Sequence, residues 1–98
     1  MTLRHIVLFR FNQEATDERI AALSTGLDSL PGAIEQIRSY SHGGDAGVRA
    51  GSWDYGVVAE CDSVEDFHTY REHPDHQALI RDLVEPITVE RASVQIAE

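Results

Sequence analysis

Hydrophobic residues crowd the start of the chain. Arg4 to Phe11 (RHIVLFRF) is dense in β-branched and aromatic residues, stops at Asn12, and predicts a strand. Thr16 then offers a helix cap, with Asp17 and Glu18 in the first turn, where the helix dipole favours negative charge. Ile20, Leu23, Leu27 and Leu30 follow at helical spacing and make one apolar stripe, and Pro31-Gly32 predicts its end. Ile34 to His42 (IEQIRSYSH) reads as a weaker, more polar strand. Gly43 to Gly51 holds four of the seven glycines and reads as a loop. Trp53 to Cys61 (WDYGVVAEC) is a second clear strand. Ser63 to Asp66 resembles a capping box with Asp in place of Glu and opens a helix carrying Val64, Phe67 and Tyr70. Pro74 interrupts that helix and starts another first turn, which runs through Leu79, Ile80, Leu83 and Val84 to Pro86. Ile87 to Ile96 alternates in Ala92, Val94 and Ile96 and predicts the last strand.

The order β-α-β-β-α-β predicts an α+β, ferredoxin-like protomer spanning residues 1–98: a four-stranded antiparallel sheet with helices on one face. In the first strand His5, Val7, Phe9 and Phe11 point one way, and Ile6 and Leu8 point the other between Arg4 and Arg10. A strand with one wet face would alternate apolar and polar, and this one does not. The helices can cover only one face. The second face therefore calls for the same face of another copy, a homodimer of stacked sheets. The competing reading is a monomer with a tolerated apolar patch.

Composition narrows the chemistry. The 98 residues are 42% hydrophobic and 26% charged, ordinary for one globular domain. Seventeen acidic against eight basic side chains give a formal charge of −9, which argues against nucleic acid and against an anionic membrane surface as partners. All eight basic residues are Arg, so Schiff-base and P-loop lysine chemistry are excluded. Cys61 is the sole cysteine, which excludes an internal disulfide and a multi-cysteine zinc site. With no signal-like or membrane-length apolar run, a cytoplasmic location is expected.

Arg4 to Phe11 resembles the opening strand of the stress-responsive dimeric A/B-barrel (Dabb) family, and Tyr70-Arg71-Glu72-His73-Pro74-Asp75-His76 resembles that family's Tyr-x-x-His-Pro-x-His segment. Leu30-Pro31-Gly32, Ile37-Arg38-Ser39 and Asp54-Tyr55 fall between them in the family's order. The resemblance implies a dimeric α+β barrel. It also implies an association with stress responses, and many members have no assigned reaction. One plant member is a cofactor-free polyketide cyclase. Its similarity implies His76 as catalytic histidine, Tyr70 as the tyrosine that orients substrate, and His5 as a cavity histidine. Tyr55 stands where that enzyme has another cavity histidine.

Each candidate has a plainer reading. An imidazole titrates near neutrality and can take a proton from a carbon beside a carbonyl, which suits His76, while the Tyr70 hydroxyl would hold the resulting oxyanion. Six residues on one helix would set them about 240° apart, so only a break at His73-Pro74 turns both toward one pocket. Otherwise His76 is a surface residue of a first helical turn. His5, with Val7 and Phe9, is expected to line a cavity between sheet and helices. Tyr55 and Val57 are candidate lining on the third strand, where small Ala59 and Cys61 leave room for a ligand or receive the first helix. His73 and His76, with Asp75 between them and His68 nearby, could form a metal set, but two histidines are too few ligands alone and Pro74 is better explained as a helix start. The acidic residues from Asp62 to Asp75 could attract Mg²⁺ but read better as a solvated helix face. The Gly43–Gly51 loop lacks a phosphate-binding pattern, so no cofactor and no metal are expected.

These features give two main functional expectations. One is a homodimer that binds a small apolar or aromatic ligand. The other is a cofactor-free cyclase or isomerase with His76 as base. A cofactor-independent monooxygenase rests on fold analogy alone.

Overall fold

The strand with two apolar faces becomes an inner strand of the sheet. In the computed structural model, which describes residues 1–98, the order is β2-β3-β1-β4, all neighbours antiparallel. The strands are β1 (Leu3–Phe11), β2 (Ser39–Gly44), β3 (Tyr55–Cys61) and β4 (Thr88–Ala97). Three helices lie between them: α1 (Asp17–Ala33), α2 (Val64–Glu72) and α3 (Pro74–Leu79). A π-helical turn, Ile80–Val84, and a 3₁₀ turn, Glu85–Ile87, lead from α3 into β4. This is the expected ferredoxin-like arrangement.

Both expected caps form. The Thr16 hydroxyl accepts the Arg19 N–H at 3.2 Å, and the Ser63 hydroxyl accepts the Asp66 N–H at 3.0 Å. Leu23, Leu27 and Leu30 are buried under α1, as their spacing predicts. The expected end of α1 is corrected: the helix runs through Pro31 to Ala33 and closes with the Ile34 N–H on the Leu30 carbonyl. A proline this close to the end removes a single ladder bond, so the last turn survives it. The strand expected from Ile34 begins only at Ser39. Ile34 and Ile37 instead plug the core from the connecting segment, at 0% and 8% exposure. The inner strand β3 starts at Tyr55. Asp54 joins it to β1, its N–H donating to Phe9 and its carboxylate accepting the Phe11 N–H.

The register assigns the faces. His5 lies opposite Gln95, Val7 opposite Ser93 and Phe9 opposite Arg91, so β4 presents polar side chains on the helix side. Its apolar residues Ala92, Val94 and Ile96 pair with Leu8, Ile6 and Arg4 on the outer side. Along β3, Tyr55, Val57, Ala59 and Cys61 are buried in strict alternation on the helix side. No helix is long and apolar enough to cross a membrane.

Candidate functional site

The break after α2 shapes the site. Pro74 lacks an N–H and drives the residue before it out of the helical region. His73 accordingly adopts φ −59°, ψ 134° and caps α3, its Nδ1 accepting the Asp75 N–H at 3.1 Å. The break lets α3 turn His76 back over α2, so the His76 and Tyr70 rings lie with centroids 4.5 Å apart. His76 Nδ1–H donates to the Arg71 carbonyl at 3.0 Å, one of the carbonyls orphaned at the end of α2. That bond fixes the tautomer and leaves the lone pair on Nε2. Burial is the main cause that holds His76 below the ordinary imidazole range, outweighing the Arg71 carbonyl bond that raises it. The ring is therefore neutral at pH 7, as a base must be.

Tyr70 is buried, and its hydroxyl shares a 3.2 Å hydrogen bond with that of Tyr40. Burial, reinforced by Tyr40, pushes its pKa far above the ordinary phenol range. The phenol thus keeps its proton throughout the neutral range and acts as a donor. When Tyr40 donates to Tyr70, the Tyr70 proton is free for a ligand. His5 comes from β1, tilted against Phe67 at 4.8 Å. Its Nδ1 accepts a Gln95 amide N–H at 2.9 Å, which places its own proton on Nε2. Burial, then the charges of His76 and Arg71, lower its pKa to about 4.

These side chains border a cavity of about 400 Å³ between the sheet and α2–α3. Val7 and Phe9 of β1, Val57 of β3 and Leu27 of α1 form its apolar floor and side, with Leu79 and Ile80 opposite. His5, Tyr40, Tyr70 and His76 supply polar atoms, and Arg71, Gln77, Glu85, Arg91, Ala92 and Ser93 complete its boundary. The volume suits a small organic molecule.

Of the residues singled out in the sequence, His5, Val7, Phe9, Val57, Tyr70 and His76 come together here. Tyr55 does not border this cavity. It is buried, and its hydroxyl is held at 2.8 Å by His42 Nδ1, whose Nε2 lies 2.7 Å from Asp28. Ala59 and Cys61 are also packed away from the cavity, and burial pushes the Cys61 thiol up, which argues against a nucleophile. No three His, Cys, Asp or Glu side chains converge as a metal set. Sequence reasoning missed Tyr40, Arg71 and Arg91. Only the pairing of Tyr40 with Ala59, known once the register is known, reveals the first of these.

A family profile described as "Stress responsive A/B Barrel Domain" matches residues 3–97. An uncharacterised protein of Streptomyces coelicolor is 30% identical over 78 residues, 78% of this chain and 80% of that one. A dimeric ferredoxin-like protein of unknown function from Thermobifida fusca superposes with TM-score 0.93 at 39% identity, covering 100% of this chain and 92% of that one. A hydroxynitrile lyase from Passiflora edulis superposes with TM-score 0.84 at 18% identity, covering 97% and 91%, a likeness of fold alone. The helix-backed sheet, the break before Pro74 and the profile spanning nearly every residue lead to one assignment: the chain belongs to the stress-responsive A/B-barrel domain family.

Proposed function

We propose that this protein is a homodimer, each subunit of which binds a compact apolar or aromatic molecule in the cavity between sheet and helices. The dimer is supported by the apolar outer face of the sheet and by the similar Thermobifida fusca protein, which is described as dimeric. The cavity joins an apolar floor of Val7, Phe9, Leu27 and Val57 to convergent polar groups from His5, Tyr40, Tyr70 and His76, which offers a ligand both an apolar seat and hydrogen-bond partners.

One observation favours a second, sharper reading: the Tyr70 hydroxyl and a neutral His76 ring share one cavity wall across the Pro74 break. In that reading the ligand carries a carbonyl. His76 Nε2 takes a proton from the adjacent carbon, and the C–H electron pair moves into the enolate. The Tyr70 O–H donates a hydrogen bond to the oxygen where charge develops. The enolate then either takes the proton back from His76 at a different carbon of its conjugated system, an isomerisation, or attacks through its carbon a second carbonyl of the same molecule, a cyclisation. In the cyclisation the new alkoxide takes the proton from His76. Both outcomes balance without any cofactor. That a protein of this fold is a hydroxynitrile lyase in Passiflora edulis agrees with a fold able to house a reaction and transfers no activity.

The test is deuterium exchange at the α-carbon of phenylacetone, followed by NMR. The wild-type protein should accelerate the exchange, and His76→Gln should lose roughly 10²–10⁴-fold of that acceleration while still binding the ketone. Equal rates with the two proteins overturn the catalytic reading. Absence of any binding to the cavity overturns both readings.

A further inference from the structure

Five of the eight arginines are ion-paired: Arg4, Arg10, Arg19, Arg38 and Arg81. The remaining three are all exposed: Arg49 lies in the loop between β2 and β3, and the other two, Arg71 and Arg91, both border the cavity. In a chain with 17 carboxylates, two unpaired cations beside one cavity are unexpected, because acidic partners are plentiful elsewhere on the surface.

They approach from opposite walls. Arg71 lies in the last turn of α2, and Arg91 stands on β4 opposite Phe9, on the helix side of the sheet. Both border the same cavity as His76. The dipole of α2 accounts for a cation at Arg71, in the last turn, and says nothing about Arg91 on the facing strand. Neutral donors stand beside them, Gln77 on α3 and the Ser93 hydroxyl on the same face of β4.

We propose that Arg71 and Arg91 form an anion subsite at the cavity, so that the preferred ligand is a small carboxylate with an apolar or aromatic body. This deepens the ligand-binding reading above and rests on it. A guanidinium presents two parallel N–H donors to a planar carboxylate, and two of them bracket one such group from either side. The apolar body lies against Leu27, Val57, Leu79 and Ile80. A carboxylate fits better than a phosphate because Glu85 also borders the cavity and the chain is net negative, which penalises a second ligand charge.

The test compares para-butylbenzoate with its uncharged isostere para-butylbenzamide and with para-butylphenyl phosphate. Binding is measured by calorimetry and located by NMR shifts of His76 and Val57. The benzoate should bind roughly tenfold tighter than the amide, with a gap that narrows as salt rises. Arg71→Gln and Arg91→Gln should each shrink the gap, and the double variant should abolish it. A benzoate no tighter than the amide, or a double variant that keeps the preference, overturns the subsite while the cavity reading stands. A phosphate ester that binds tighter than the benzoate overturns the choice of carboxylate. If none of the three probes perturbs the cavity residues, the cavity reading falls and takes the subsite with it.

Discussion

The two faces of the sheet are built from opposite mixtures, most plainly along β4. On the outer side Ile6 and Leu8 of β1 join Val58 of β3 and Ala92, Val94 and Ile96 of β4. Leu8, Val94 and Ile96 are 37%, 50% and 43% exposed, and the arginine–glutamate pairs Arg4–Glu60, Arg4–Glu98 and Arg10–Glu90 frame the patch. On the helix side the same strand offers Arg91, Ser93 and Gln95. A strand of a sheet covered once would place its apolar residues toward the helices. β4 reverses that order. Its apolar side faces away from the covering helices and its polar side faces a cavity, so the outer face is suited to another protein layer and the inner one to a ligand.

The strongest way to break this contrast is to charge the outer face. Val94→Arg places a cation at the centre of the apolar patch, and two-fold symmetry would place it there twice. An unpaired charge buried in such an interface costs several kcal/mol, so association should weaken by about 3–4 kcal/mol, or several hundredfold. Sedimentation velocity should find a monomer where the wild-type protein sediments as a dimer. His76→Gln, on the other side of the sheet, should leave the dimer intact. A wild-type protein that is already monomeric removes the premise.

The second prediction compares the two tyrosines that meet in the cavity. Tyr70→Phe removes the donor to the developing enolate and should slow ketone exchange by about 10²-fold. Tyr40→Phe should cost less, since the role of Tyr40 in the step is to hydrogen-bond the Tyr70 hydroxyl, which stays in place without it. The surviving activity of either variant should still rise with pH along an acid limb whose midpoint lies below 6.5, because the protonated form of His76 is disfavoured and only its neutral form accepts a proton. A midpoint at or above 6.5, or equal losses in both variants, would count against this division of roles.

Much of this arrangement is legible in the sequence, and what is not has identifiable causes. β1 and β3 are read correctly because alternation and β-branched content are local properties. The bend that brings Tyr70 to His76 is legible because a proline imposes its geometry on its immediate neighbours. Ile34 and Ile37 mislead for the converse reason: a short apolar, β-branched stretch looks the same whether it forms a strand or plugs a core from a turn. The exchange of Tyr55 for Tyr40 is a matter of register. Both lie on the helix side, yet Tyr40 sits opposite Ala59, whose small side chain leaves its ring room to reach Tyr70, while the Tyr55 hydroxyl turns to His42. Arg71 and Arg91 escape notice because they are 20 positions apart in the chain and come to border one cavity only through the fold.

The smallest effect sharpens the contrast from inside the cavity. His5 is half-buried and has its pKa lowered to about 4, chiefly by burial, against 6.5 for a free imidazole. Between those values the unfolded chain binds a proton at this position that the folded chain refuses. The contribution of His5 is therefore complete above pH 6.5 and is lost as the pH falls from there toward 4, with no further loss below. With solvent screening discounted, the loss amounts to on the order of 1–2 kcal/mol. His5→Gln cannot take up a proton, so its urea midpoint relative to that of the wild-type protein should improve on going from pH 7 to pH 5. Parallel pH profiles for the two proteins would mean that the ring is as well hydrated as in the unfolded chain, and the cavity beside it would then be open water.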